Sequence, residues 1–251
     1  LAFVIFTAAY MSSRRIDVRN IWTSTILPLT IAGAALFMIA MQPDFGTSIV
    51  VLAGAFLVVF FAGVPLARTA GLSLIALPPL GYLMAQEDYR LQRIFTFIDP
   101  WADASGSGYQ IIQSLYALGS GYIFGSGLGR GRQKLFYLPE PQNDFIFAVI
   151  GEELGFIGVV AVLMLYLIFV WRGFQIALKA PDLYGTLLAA GLTFMIAVQV
   201  LINVAVVSGS LPVTGLNLPL ISAGGSSVFF TLIAVGILLN ISRHGTENKT
   251  A

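Results

Sequence analysis

The chain has 251 residues, of which 57% are hydrophobic and only 10% charged, against about 25% charged in a soluble domain. A net charge of +1 leaves no electrostatic footprint for nucleic acid, and the lack of cysteine excludes disulfides and thiolate metal sites. Uncharged runs of about 18 residues or more follow one another, which predicts an all-α, polytopic helical membrane protein; a transmembrane barrel needs short alternating segments, and none occur.

Leu1 is not an initiator, and LAFVIFTAAYM reads as the tail of a span: the cations Arg14 and Arg15 follow it, whereas a signal peptide places them first. Further spans are therefore expected ahead of residue 1. The loop SSRRIDVRN, with Arg14, Arg15 and Arg19 against Asp17, is assigned to the cytoplasmic side. Residues 26–41 cross outward, MQPDFGT turns with Asp44 at its tip, 48–62 return to Arg68, and 70–85 cross out again. The polar region 86–143 is too long for a structureless connection and is expected to be an extracytoplasmic loop with short helices, one near 109–118. Residues 144–171 span next, ending inside at Arg172 and Lys179; 184–207 go out, SGSLPVTGLNLP turns, and 220–241 return to a cytoplasmic tail. This gives about seven spans in one membrane domain, 1–251, with every short Arg- or Lys-rich loop on one side.

Most of these spans carry no charge, whereas ion-coupled transporters place charges at the midplane, so function is expected at the outer face. The polar residues crowd into GSGLGRGRQKLFYLPEPQNDFIFAVIGEELG, residues 125–155. Asp144 stands where a helix is expected to begin. It can cap that helix, act as a partly desolvated base, or do both. Glu152 and Glu153 follow about 12–14 Å deeper on a continuous helix, with Glu152 nearer the Asp144 face. They act either as structural ion-pair or hydrogen-bond partners or as ligands in a cavity. Arg130, Arg132 and Lys134 lie in a glycine-rich stretch suited to a pyrophosphate or to headgroups, and the pattern is not a P-loop. Arg90 and Arg93, with Asp99, Trp101 and Asp103, read as an interfacial face, Asp44 as a turn or cap residue, and Gln199 and Asn203 as interhelical hydrogen-bonding groups. Ser222, Ser226 and Ser227, with Gly224 and Gly225, read as a site of close packing or a broken helix end. The single histidine, His244, lies in the tail, which excludes histidine catalysis and His-ligated zinc.

The stretch 125–155, with PDFGTSIVVL, GSGYQIIQSLYALGSG and LPVTGLNLPLISAGGSS in order, resembles the shape, elongation, division and sporulation (SEDS) family, which includes RodA and FtsW. The resemblance covers essentially the whole chain, and RQKLFYLPE is closer to the division and sporulation branch (FtsW/SpoVE) than to the elongation branch. It implies a ten-span fold of which this chain is about the last seven. It also implies a peptidoglycan glycosyltransferase in the bacterial inner membrane, serving division, shape or sporulation, with its active site on the extracytoplasmic face. The implied substrate is lipid II, and the implied partners are a class B penicillin-binding protein and other divisome or elongasome membrane proteins, with no nucleic acid.

By the same resemblance Asp144 is the essential acid, a general base in an inverting transfer. Lys134, Arg130, Arg132, Gln133 and Glu140 are implied substrate contacts, and Asp44 and Glu152 possible ligands of a divalent cation, Mg2+ or Mn2+. One departure is that His-Thr commonly precedes the acid, where this chain has Gln142-Asn143. The alternatives are a lipid II flippase, for which the cations and Asp144 would only bind, and a non-catalytic scaffold for the partner synthase.

Overall fold

The computed structural model describes residues 1–13, 16–17, 19–40, 45–71, 74, 88–131 and 142–247. Its named helices are α1 (Ala2–Met11), α2 (Leu27–Ala40, entered through a π-turn at Trp22–Ile26), α3 (Phe45–Phe61), α4 (Asp88–Ile98), α5 (Tyr109–Ser120), α6 (Ile146–Leu178), α7 (Leu183–Val207) and α8 (Gly225–Glu247). No strand occurs among the described residues. The span expected at 70–85 lies outside them but for Ala70, Gly71 and Leu74.

Among the described residues three helices are long and apolar enough to cross a membrane: Ile146–Leu178, Leu183–Val207 and Gly225–Gly245. Ala2–Met11 and Gly46–Phe61 are shorter apolar helices. The chain is thus a polytopic helical membrane protein, and its many outward-facing apolar side chains, such as Leu165, Leu201 and Leu232, are those that meet lipid tails in such a fold.

The chain divides into two compact units. The first comprises residues 1–82, 169–198 and 229–251. Small residues set its packing: a Cβ on Gly191 would lie 2.6 Å from Val58 and 2.7 Å from Val4, so α7 rests directly on α3 and α1. Gly173 meets Thr193 in the same way, bringing α6 and α7 together. Close backbone approach through glycine is how membrane helices gain dispersion contact when lipid offers no hydrophobic drive.

The second unit, residues 83–168 and 199–228, carries the polar chemistry. In the region 86–143, α4 leads to a 3-10 turn, Pro100–Asp103, and then to α5. The turn is built by carboxylates: Asp99 accepts from the Trp101 amide at 3.1 Å, and Asp103 accepts from the Ser107 amide at 2.8 Å. The Ser107 amide and hydroxyl hold the Asp103 carboxyl below its ordinary range. α5 docks on α7 through Ser114, whose hydroxyl donates to the Val207 carbonyl at 2.7 Å, and through Ile111 and Leu115 over Gly209.

Helix α6 departs from the continuous rod expected over 144–171. At Gly155 the backbone turns to φ 68°, ψ −165°, and the helix is interrupted. The segment 121–127 fits into the break. Phe156 and Ile157 donate to the Tyr122 and Ile123 carbonyls at 2.8 and 3.2 Å, and the Ser126 and Gly127 amides donate to the Glu152 and Glu153 carbonyls at 2.9 and 3.0 Å. The groups that any helix end leaves without partners are satisfied here by one loop. The part after the break holds about 23 residues, roughly 34 Å, and suffices to span a bilayer.

Candidate active site

Asp144 lies in a turn, 142–145, ahead of α6. The Phe145 carbonyl accepts the first helical amides, Ala148 at 2.9 Å and Val149 at 3.4 Å, so the cap position falls on Phe145 and Asp144 precedes it by one residue. Phe145, Phe147 and Ala148 are buried and pin the helix start, while Asp144 is half-buried.

Three consecutive main-chain carbonyls fix this turn. Gln142 accepts from the Ala223 amide at 2.9 Å, Asn143 from the Ser222 hydroxyl at 2.6 Å, and Asp144 from the Asn203 side-chain amide at 2.8 Å. Asn203 also donates to the Leu216 carbonyl at 2.7 Å, and Gln199 donates to the Asn217 carbonyl at 3.1 Å. Ser222 Oγ accepts the Leu218 amide at 2.7 Å. The loop 211–224 is therefore a brace joined to the Asp144 turn. Gly215, at φ 72°, lies beneath the carboxylate: a Cβ there would be 3.6 Å from Asp144 Oδ2. Arg93 supports the brace from α4, donating to the Val213 carbonyl at 2.9 Å.

This corrects the reading of Asn203 and Gln199 as interhelical hydrogen-bonding groups. Both hold loop carbonyls, and Asn203 positions Asp144. Replacing Asn203 with leucine would remove the donor that serves both the Asp144 and the buried Leu216 carbonyls. We expect a loss of about 2–4 kcal/mol in unfolding free energy, measured by thermal or denaturant unfolding in detergent, together with reduced activity.

The glycine-rich loop is organised by Glu153. Its carboxylate accepts the Gly129 amide at 3.0 Å and the Gly131 amide at 3.4 Å, while Gly125, Gly127 and Gly129 all take positive φ. Two of the loop's amides are thus turned to an internal carboxylate. Arg130 is exposed at the loop surface. Glu152 is 4% exposed, and one of its carboxylate oxygens lies 2.9 Å from where a Cβ on Gly131 would sit. The two acids, adjacent in the chain, thus take different places: Glu153 holds loop amides and Glu152 is buried. A Glu153→Gln variant keeps only one strong acceptor. We expect tryptic cleavage after Arg130 to accelerate about tenfold, read by limited proteolysis of the detergent-solubilised protein.

Asp44, Arg132, Gln133, Lys134 and Glu140 lie outside the described residues. Among the described residues no three of His, Cys, Asp and Glu converge as a metal site.

Comparison with known proteins matches this geometry to a family. Residues 1–247 match the family model FtsW/RodA/SpoVE, described as cell cycle protein. Stage V sporulation protein E of Bacillus subtilis (strain 168) is 48% identical over 97% of this chain and 67% of its own length. A probable peptidoglycan glycosyltransferase FtsW of Geobacter sp. (strain M18) is 43% identical over 95% of this chain and 65% of its own. The chain therefore spans about two thirds of the length of the curated relatives it matches. Among solved structures, a chain from a peptidoglycan synthase complex that coordinates polymerization and crosslinking superposes with TM-score 0.75 at 35% identity, covering 97% of this chain and 68% of that one. Rod shape determining protein RodA of Thermus thermophilus gives TM-score 0.65 at 31% identity, covering 96% and 62%. With essentially its whole length matched, the chain belongs to the FtsW/RodA/SpoVE family of cell cycle proteins.

Proposed function

We propose that this chain is the greater part of a peptidoglycan glycosyltransferase that polymerises lipid II, with Asp144 as its general base. The observation that carries this reading is the treatment of Asp144: three successive main-chain carbonyls are anchored while the carboxylate lies over a glycine. Such bracing suits a group whose position matters to chemistry. The relatives named peptidoglycan glycosyltransferase supply the substrate class.

In the proposed step the 4-hydroxyl of an acceptor GlcNAc gives its proton to Asp144, and its oxygen attacks C1 of the donor MurNAc. The C1–O bond to the pyrophosphate breaks, and undecaprenyl pyrophosphate leaves with the bonding electrons. An α-linked donor and a β-linked product mean inversion, so one base suffices and no glycosyl-enzyme forms. Arg130, with Arg132 and Lys134, offsets the leaving group's charge, and Gln133 and Glu140 complete the substrate contacts. The exposed Arg130 beside the Glu153-bound glycines fits that role.

A divalent cation, Mg2+ or Mn2+, would be held chiefly by pyrophosphate oxygens with one or two carboxylates, Glu152 and Asp44 being the candidates. When bound, the cation would stabilise negative charge on the leaving oxygen.

The proposed setting is the bacterial inner membrane, with the site on the extracytoplasmic face, and the proposed partner is a class B penicillin-binding protein. The similarity to a chain of a peptidoglycan synthase complex supports that partnership; other divisome or elongasome proteins join at the same membrane. The division and sporulation branch is favoured by the 48% and 43% identities to a sporulation protein and to an FtsW.

The test is glycan polymerisation from purified lipid II by the full-length protein with its partner, the partner's own active site blocked. Long strands are expected. Their absence from a well-folded complex, with lipid II translocated across vesicles instead, would establish the flippase reading.

A further inference from the structure

A second polar site lies in the other compact unit, at the C-terminal end of α6. Arg172, Gln175 and Lys179 recur at three- and four-residue spacing and so form one stripe of the helix. Opposite them stand Ile241, Ser242 and Gly245 of α8, and the two walls enclose a cavity of about 180 Å³. Gly245 makes the approach possible: a Cβ there would lie 2.6 Å from the Lys179 carbonyl oxygen.

The electrostatics of this cavity are one-sided. Neither Arg172 nor Lys179 forms an ion pair among the described residues. Arg172 donates to Gln175 Oε1 at 3.2 Å and lies 5.1 Å from the Trp171 ring centre, which orients the guanidinium without neutralising it. Accepting through its oxygen leaves Gln175 with its NH2 group as a further donor. Asp182, the one acid between Glu153 and Glu247, accepts the Gly185 amide at 2.8 Å and so caps α7.

Around this basic cavity the surface is apolar, with Leu178 and Leu239 strongly exposed and Trp171 about half exposed. A cationic pocket with an indole and leucines beside it, where an apolar span ends, is the arrangement that holds a phosphate group with acyl chains attached. We propose that Arg172, Gln175 and Lys179 bind the headgroup phosphate of an anionic membrane phospholipid, with its chains lying along Leu178 and Leu239.

The experiment is thermal unfolding of the full-length protein in neutral detergent, titrated with palmitoyl-oleoyl phosphatidylglycerol, with the phosphatidylcholine of the same chains, or with inorganic phosphate. We expect a saturable rise of about 5 °C with phosphatidylglycerol alone. The rise should vanish in Arg172→Gln/Lys179→Gln and persist in the charge-keeping Arg172→Lys/Lys179→Arg and in the control Arg19→Gln, a cation that does not line the cavity. An equal rise with phosphatidylcholine or with inorganic phosphate overturns the proposal, as does a full rise in the double Gln variant. If that variant does not fold, Lys179→Gln alone is read in its place, and an undiminished rise there overturns it equally.

Discussion

Asp144→Asn is expected to insert and fold as the wild type does and to lose at least about a hundredfold in the rate of glycan polymerisation, since a positioned general base contributes about 10²–10⁴. Three of the bonds that hold the turn run to main-chain carbonyls of Gln142, Asn143 and Asp144, and the exchange of a side-chain oxygen for nitrogen leaves all three in place. Unfolding temperature should therefore stay close to wild type while strand synthesis fails.

Asp144→Glu is a sharper probe of position. It keeps the carboxylate but advances it by about 1 Å, a displacement that can cost about a hundredfold in a preorganised site. Gel analysis of strands from labelled lipid II measures both variants. Retention of synthesis in Asp144→Asn would remove this residue from the mechanism, and rescue of both variants in cells would favour the scaffold reading.

The comparison of Asp144→Asn with Asn203→Leu separates two ways of losing activity. The first removes the proton acceptor and leaves the brace. The second leaves the acceptor and removes the brace, lowering stability at the same time, because Asn203 is 2% exposed and serves both the Asp144 and the Leu216 carbonyls. A polymerase that failed in the first way with an unchanged melting temperature, and in the second with a lowered one, would show that stability and chemistry reside in different atoms of one turn.

Composition and periodicity made the helical membrane class readable, because uncharged runs long enough to span a bilayer have few other uses. The motif around Asp144 led to the family through residue identity alone. What the sequence hid was long-range and carried by the main chain. Asn203 is 59 residues from Asp144, and Ser222 is 79 residues from Asn143. Hydrogen bonds to carbonyls leave no periodic trace, so an asparagine in an apolar helix reads as an interhelical contact until the loop is seen folded against it. Glu153 was hidden for a different reason. Among its partners are the amides of Gly129 and Gly131, and a bond from carboxylate to main chain leaves no mark in the pattern of side chains.

The break at Gly155 was equally silent, since glycine inside an apolar helix is common in membranes and marks packing as often as interruption. Here its substitution should be severe. The pair φ 68°, ψ −165° falls in a region open essentially to glycine alone. A Cβ on Gly155 would lie 2.3 Å from the Gly125 amide nitrogen and 2.6 Å from the Ile123 carbonyl oxygen, and Gly125 would meet the Glu153 carbonyl at 2.1 Å in return. Both contacts are to main chain, so no side chain can swing aside.

Gly155→Ala must therefore either strain the break or expel the segment 121–127, forfeiting the four inter-segment main-chain bonds and the Ser126 hydroxyl bond to Glu152. We expect a loss of about 4 kcal/mol or more, from a strain of about 1–3 kcal/mol added to buried groups left without partners. Glu153 would be displaced with its carbonyl, the Gly129 and Gly131 amides would lose their acceptor, and the variant should combine a lowered melting temperature with rapid tryptic cleavage after Arg130. An alanine variant that melted and resisted trypsin like the wild type would mean that α6 runs unbroken through Gly155. The organisation of the glycine loop by Glu153 would then have to be abandoned with the break that supports it.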